Sequence, residues 1–139
     1  MASAMYNNAR QAFMDGLIDL NTNTIKVRAV ADEDYTYTAT HTAMSSVTKY
    51  ALSTDYTLTS PTIVDGVFDA ADASPAFTAL AVDGTKDIDA LVIFQYNTSD
   101  ADSIPILYID LATAVRPNGG DINITWDSGA NKIFAFNNA

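Results

Sequence analysis

Hydrophobic positions at the start of the chain follow a helical spacing. Four apolar side chains share one face of a helix: Met5, Ala9, Ala12 and Phe13. Ser3 is a favourable N-cap residue, and Gly16 suits the left-handed conformation that often follows a helix. The pattern therefore predicts a short helix from about Ser3 to Asp15.

Two roles are open for residues 1–16. The segment either packs as a helix on the protein's own sheet, or it is an arm that docks on a neighbouring subunit. Both roles stay open because an isolated helix of this length is marginal in water. The sequence thus predicts an N-terminal helix or arm, residues 1–16, and a single β domain, residues 17–139.

After the first segment, the apolar positions alternate. The first predicted strand covers residues 24–31. Ile25, Val27 and Ala29 lie on one of its faces. Residues 90–96 are apolar almost without interruption, which is typical of a strand covered on both faces. This segment is predicted to be the central strand.

Shorter apolar runs bounded by turn residues indicate further strands. They cover residues 56–59, 62–65, 67–70, 76–82, 104–111, 122–126 and 133–136. Residues 42–47 are predicted as a helical turn, residues 97–103 as a polar loop, and the last two strands as a hairpin. Asp65-Gly66 is a turn signal between two of the strands. The predicted fold is all-β: an antiparallel β-sandwich or barrel with a short N-terminal helix or arm.

Length and cysteine content narrow the class of protein. With 139 residues the chain is long enough to bury a core as one domain. It has no cysteine, which excludes disulfides and thiolate metal sites. No apolar run approaches the roughly 20 residues of a membrane-spanning helix, so we expect no membrane partner. The first residues do not resemble a secretory signal, and we expect assembly in a cytoplasm.

Charge narrows the choice of partner. Acidic residues outnumber basic ones by 17 to 7, and the formal net charge is −10. Sixteen of the acids are aspartates, which favour turns and caps over helix surfaces. The negative charge repels nucleic-acid phosphates, so we expect no nucleic-acid partner.

Candidate catalytic and metal-binding residues are few. His41 is the only histidine, and the G-x-S-x-G pattern of a hydrolase nucleophile is absent. Residues 83–89 and 97–102 offer aspartate oxygens of the kind that calcium takes, but neither follows the EF-hand spacing and we interpret both as solvated turns. Trp126 lies in a strand pattern that suggests the core. We therefore predict no catalytic residue, no metal ligand and no cofactor.

Tyrosine is the commonest aromatic residue, with seven in the chain. Tyrosines are frequent at protein interfaces, where an apolar body meets a wet edge, and also at strand ends in small sandwiches. We predict an interface formed by the first segment and by two tyrosines of a later loop: Met5, Tyr6, Ala9, Arg10, Phe13, Tyr35 and Tyr37.

Several stretches resemble small virion proteins of tailed bacteriophages. The pattern IDL…IKV lies in residues 18–27, T-H-T-x-x-S-x-V in residues 40–47, and I-x-I-x-W…F in residues 122–134. The run DALVIFQYNTSDADSIPILYIDL in residues 89–111 continues the likeness, which covers most of the chain. Similar sequences are usually taken for capsid decoration (cement) proteins or for small head and tail components.

The resemblance implies a non-enzymatic structural protein on the capsid surface of a virion. Its partners would be the major capsid protein and other copies of the chain, with a trimer as a natural arrangement. The alternative is a tail, neck or fibre component that binds another virion protein or a host surface. A third hypothesis, a small β-sandwich hydrolase or carbohydrate binder, predicts an exposed Trp126, and a buried one would contradict it.

Overall fold

The computed structural model describes residues 3–136 of the chain. These residues form a mainly β structure with antiparallel sheets and one short helix near the N-terminus, which confirms the predicted fold class. The sheets do not close into a barrel, so the barrel alternative is wrong.

The elements follow the predicted order, except that a short strand at Ala4–Met5 was not predicted and the strand predicted at residues 76–82 lies at Ala73–Phe77. In chain order they are β1 (Ala4–Met5), α1 (Asn7–Met14), β2 (Ile25–Val30), β3 (Tyr56–Thr57), β4 (Thr62–Val64), β5 (Val67–Asp69), β6 (Ala73–Phe77), β7 (Ile88–Asn97), β8 (Ser99–Val115), β9 (Ile122–Ile124) and β10 (Phe134–Ala135). A 3-10 helix at Met44–Ser46 confirms the predicted helical turn. Between residues 3 and 136, no helix is long and apolar enough to cross a bilayer.

Five strands form the main sheet in the order β1-β8-β7-β2-β3. β7 lies in the middle, as predicted for residues 90–96, and pairs antiparallel with β2 and β8. Ile93 of β7 faces Val27 on one side and Leu107 on the other. Ile93 is fully buried, as expected for a strand that is covered on both faces.

Two smaller sheets complete the β structure of residues 3–136: β10-β5-β4 and β6-β9. The predicted hairpin of residues 122–126 with residues 133–136 is wrong, because β9 pairs with β6 and β10 pairs with β5. Phe134 of β10 faces Phe68 of β5, with ring centroids 5.3 Å apart. Burial of aromatic surface therefore favours this long-range pairing over a local hairpin.

Both faces of the main sheet are covered. On one face, Tyr108 of β8 packs against Tyr37 and Tyr35, with ring centroids 5.2 and 6.4 Å apart. On the other face, Leu107 lines a cavity together with Trp126, next to β9. The connection from β2 to β3 thus forms one cover of the sheet, and the smaller sheets form the other.

The connection from β7 to β8 is tighter than predicted. The polar loop expected at residues 97–103 is wrong, because the chain turns at Thr98, with φ of +60°, and β8 begins at Ser99. The Ser103 hydroxyl accepts a hydrogen bond from the Asn97 amide at 2.9 Å and donates one to the Ser99 carbonyl at 2.7 Å. These polar groups stabilise a hairpin where the sequence suggested a loop.

The helix α1 begins later than predicted. Ser3 is not its N-cap, because the Ser3 hydroxyl accepts a hydrogen bond from the Asp110 amide at 3.1 Å and β1 intervenes before the helix. Tyr6 occupies the N-cap position without a side-chain capping bond, since its side chain is buried. Gly16 has φ of +74°, which confirms the predicted end of the helix.

α1 belongs to the same hydrophobic core as the sheets. Ala9 and Ala12 are buried against the rest of the domain. The Tyr6 amide donates a hydrogen bond to the Ile106 carbonyl of β8 at 3.0 Å. In this structure the N-terminal segment, from residue 3 onward, is therefore a strand and a helix that pack on the protein's own sheet.

Candidate interaction surface

An apolar groove lies between the end of α1 and the three-stranded sheet. It consists of a cavity of about 400 Å³ and an adjoining one of about 360 Å³, which share Phe13 and Phe136. The apolar groove, as we name it, is lined by Arg10, Phe13, Met14, Gly16, Ile18, Asp19, Leu20, Ile63, Gly66, Phe68, Phe134 and Phe136.

Aromatic contacts build the walls of the apolar groove. Phe13 of α1 meets Phe136 edge-on, with ring centroids 5.2 Å apart, and lies 6.3 Å from Phe134. Phe134 in turn packs on Phe68 of β5. Edge-on and tilted geometries are favourable for aromatic pairs. The four rings thus hold the helix and the sheet in a fixed arrangement.

Several side chains of the apolar groove are open to solvent. Met14 is 87% exposed, Phe136 53% and Ile63 43%. Adjacent exposed apolar side chains are typical of surfaces on which another molecule packs. The apolar groove therefore has the chemistry of a protein–protein contact.

The strand β4 gives the apolar groove an open edge. Within the described sheet, β4 pairs with β5 and lies at the end of the strand order. Ile63 faces Phe68, and Phe68 faces Phe134, so these side chains form one row across the three strands. The backbone of an edge strand can pair with a strand from another chain.

The rim of the apolar groove is mainly acidic. Asp19 lines the groove, and the exposed Asp15 and Asp65 come directly before the lining residues Gly16 and Gly66. Arg10 also lines it, and its Nη1 donates a hydrogen bond to the Asn7 side chain at 2.9 Å. The surface thus combines an apolar floor with carboxylates at its border.

Three predicted interface residues lie inside the protein: Tyr6, Ala9 and Tyr35 are buried in the core. Their side chains stabilise the domain and are not available on its surface. Met5 and Tyr37 are partly buried and pack against this core, and the Tyr37 hydroxyl donates a hydrogen bond to the Met5 carbonyl at 3.2 Å.

The other two predicted interface residues, Arg10 and Phe13, line the apolar groove. There they meet Met14, Ile63 and Phe136, which sequence reasoning did not single out as interface residues. The sequence offered only a weak signal for these three residues, because each of them lies in a short apolar run that is equally typical of a buried core. Only the three-dimensional arrangement of residues from three distant parts of the chain reveals them as one surface.

A partly buried series of hydrogen bonds connects Tyr6, Tyr35 and His41. The Tyr6 and Tyr35 hydroxyls are 2.7 Å apart, and the Tyr35 hydroxyl lies 3.0 Å from His41 Nδ1. Burial raises the pKa of Tyr6 far above its ordinary value, and the hydrogen bond with Tyr35 raises it further. Burial, assisted by the Asp32 carboxylate, also raises the pKa of Tyr108 to about 12. These phenols stay protonated at neutral pH and act in packing.

Ion pairs form at the aspartate-rich turn of residues 83–89. Lys86 Nζ lies 2.7 Å from Asp34 and 3.3 Å from Asp83. Arg116 Nε lies 2.6 Å from Asp87. In the part of the chain that the structure describes, no group of three or more His, Cys, Asp or Glu side chains is arranged to hold a metal ion.

Trp126 has an intermediate position. Its ring is partly buried against the core, and its indole Nε1 donates a hydrogen bond to the Ala71 carbonyl at 3.2 Å. Its backbone amide donates to the Asp72 carboxylate at 2.9 Å. These contacts fix the ring beside β6, so it is neither a free platform for a sugar nor a fully buried core residue.

The chain matches no protein-family model, no curated protein and no solved structure. The apolar groove is therefore the feature from which we infer a function.

Proposed function

We propose that this chain is a non-enzymatic structural protein of a tailed-bacteriophage virion. In this proposal it decorates the capsid surface and stabilises the head through contacts between capsid subunits. Its partners are the major capsid protein and other copies of itself, with a trimer as the natural arrangement. It assembles on the particle in the host cytoplasm.

The apolar groove carries the proposal. Met14, Ile63 and Phe136 are exposed side by side on an otherwise acidic protein, and the floor behind them is aromatic. An exposed patch of this kind is stabilised when another protein covers it. The resemblance of the chain to small phage virion proteins supports a capsid as the covering surface.

The energetics suit a protein that is bound in many copies. Complete burial of one large apolar side chain contributes about 1.5–3 kcal/mol. Contacts of that size give modest affinity for a single copy, but a symmetric shell repeats them at every site. The net charge of −10 supports a partner other than nucleic acid or an anionic membrane.

The decisive experiment is the stoichiometry of this chain in purified particles, measured by quantitative mass spectrometry and by cryo-EM occupancy. Hundreds of copies on the head would support the proposal. A handful at the tail or neck would replace it with the alternative of an adaptor or fibre component. Absence from particles would overturn both.

A pair of matched variants tests whether the apolar groove is the contact. Met14→Glu places a charge in the groove, and we expect it to lower the occupancy on particles. Leu52→Glu is the control, because Leu52 is also strongly exposed, at 73%, but lies outside the groove. Equal occupancy of the two variants would exclude the groove as the site of attachment.

A further inference from the structure

We infer that the apolar groove and the open edge of β4 bind an extended segment of a partner protein. The segment has apolar residues at alternate positions and is flanked by lysine or arginine. The inference rests on the proposed function, because it specifies which part of a partner this surface recognises.

Backbone geometry at β4 provides the first reason. Val64 and Val67 flank the two-residue turn, and the pair that closes such a hairpin exchanges hydrogen bonds. Hydrogen-bonding groups alternate along a strand, so the N–H and C=O of Ile63 point away from β5. A segment that adds to β4 can bond to both groups of Ile63, as in strand addition to a sheet edge.

The row of side chains provides the second reason. Ile63, Phe68 and Phe134 are in register across β4, β5 and β10 and line the same cavity of about 400 Å³. A residue paired with Ile63 would extend this row by one position. Side chains alternate between the faces of a strand, so every second residue of the segment would face the apolar groove. This explains the apolar residues at alternate positions.

The negative charge around the groove determines which residues we expect on either side of the apolar positions of the bound segment. Asp19 lines the groove, the exposed Asp15 and Asp65 are the neighbours in sequence of its lining residues Gly16 and Gly66, and the whole chain has a net charge of −10. A basic flank would be attracted to this rim, and an acidic one would be repelled. A second copy of this chain carries the same negative charge, which disfavours it as the occupant.

Selection from a random peptide library, about twelve residues per peptide, tests the inference. Each peptide is linked to the mRNA that encodes it, and the library is selected for binding to the full-length protein. Enriched peptides are then synthesised, and their affinity for the protein is measured by isothermal titration calorimetry. We expect alternating apolar residues between lysines or arginines. Binding should weaken at high salt, because ions screen the attraction.

Two variants of the same strand make the test specific. Ile63→Arg blocks the row in the groove, and we expect it to weaken binding by about tenfold or more. Val64→Arg is the matched control, because Val64 is 65% exposed on the same strand but faces the opposite side of the sheet. Both positions are exposed, so both variants should fold, as circular dichroism will confirm. Amide shifts of residues 62–64 in the wild-type protein give an independent readout of the same contact.

Each other outcome would overturn the inference. The first is that the wild-type protein enriches no more peptides than Ile63→Arg does, and the second is that it enriches acidic peptides. The third is that the two variants lose equal binding affinity, and the fourth is that the amide shifts lie far from β4. A concentration-dependent dimer that Ile63→Arg abolishes would identify a second copy as the occupant instead. Particle stoichiometry tests the proposed function separately, so a protein present in hundreds of copies that selects no peptide would contradict this inference alone.

Discussion

Arg28 has 4% of its side chain exposed, although it is charged and lies between Val27 and Ala29 in β2. Its guanidinium donates hydrogen bonds to Asp55 at 3.0 and 2.8 Å and to Asp100 at 3.0 Å. Burial by itself lowers the pKa of Arg28, but the bonds to the two aspartates outweigh this effect and raise it. The buried charge is thus compensated, and it connects β2 to two distant segments.

Replacement of Arg28 should be strongly destabilising. Arg28→Ala leaves two carboxylates without their cation and also removes bonds to the Met44 and Val47 carbonyls. We expect the free energy of unfolding to fall by about 3 kcal/mol, measured by urea denaturation at neutral pH. Arg116→Ala is the control, because its ion pair with Asp87 is exposed and contributes little. Equal losses in the two variants would contradict a special role for Arg28.

The raised pKa of Tyr108 predicts that the folded protein loses stability at alkaline pH. Burial raises the pKa of its phenol to about 12 in the folded protein, whereas a tyrosine in an unfolded chain ionises near pH 10. The folded state therefore holds this proton more tightly. The resulting stabilisation is complete below about pH 10 and is lost as the pH rises through about 12.

The measurement is the Tm of the protein across this alkaline interval. We expect the Tm to fall, and to fall less steeply in Tyr108→Phe, because the variant has no proton to lose at this position. Parallel curves for the two proteins would show that Tyr108 does not contribute to the pH dependence.

At the scale of elements, the β4–β5 hairpin shows how a local signal fixes a turn. Asp65 and Gly66 have φ of +52° and +78°, and positive values at both positions are typical of a type I′ turn. The Asp-Gly pair favours this conformation, because glycine adopts it without strain and aspartate tolerates it. This turn places Ile63 opposite Phe68, and it thereby fixes the position of Ile63 in the row of side chains that lines the apolar groove.

A pair of glycine substitutions tests how the hairpin is held against the end of the chain. A methyl group at Gly66 would lie 2.9 Å from the Phe136 carbonyl oxygen, whereas one at Gly16 would meet nothing within 4 Å. Both glycines have positive φ. We expect Gly66→Ala to lower the free energy of unfolding by about 2–3 kcal/mol and Gly16→Ala by about 1 kcal/mol. Equal values from urea denaturation would contradict a close approach at Gly66.

At the scale of the whole molecule, α1 and the sheets share one core. Tyr6, Ala9 and Ala12 are buried together with residues of the main sheet, and β1 pairs with β8. The N-terminal segment should therefore unfold with the domain and not as a separate arm.

Hydrogen exchange measures this coupling directly. We expect the amides that are hydrogen-bonded within α1 to exchange about as slowly as those of β7, because both open only when the whole domain unfolds. The amide of Lys86, in an exposed turn, provides a reference for local opening. Fast exchange confined to α1 would contradict the single core and would favour a detachable arm.

The apolar groove and the pairing of β10 with β5 could not be predicted from the sequence. Phe13, Ile63 and Phe136 are far apart in the chain, and each belongs to a short apolar run with several possible partners. The same holds for Tyr6, which was predicted at an interface and lies in the core. Such outcomes depend on which distant surfaces bury the most area together, and this is a property of the assembled domain.

The sequence by itself determined the all-β class, the central strand at residues 90–96, the end of α1 at Gly16 and the turn at Asp65-Gly66. These features follow from alternation over a few residues and from the backbone conformations that glycine allows. The tertiary structure alone decided the strand partners that are distant in the chain, the start of α1 and the surface left exposed. Long-range burial is what decides them, because local preferences are too weak to select among distant partners.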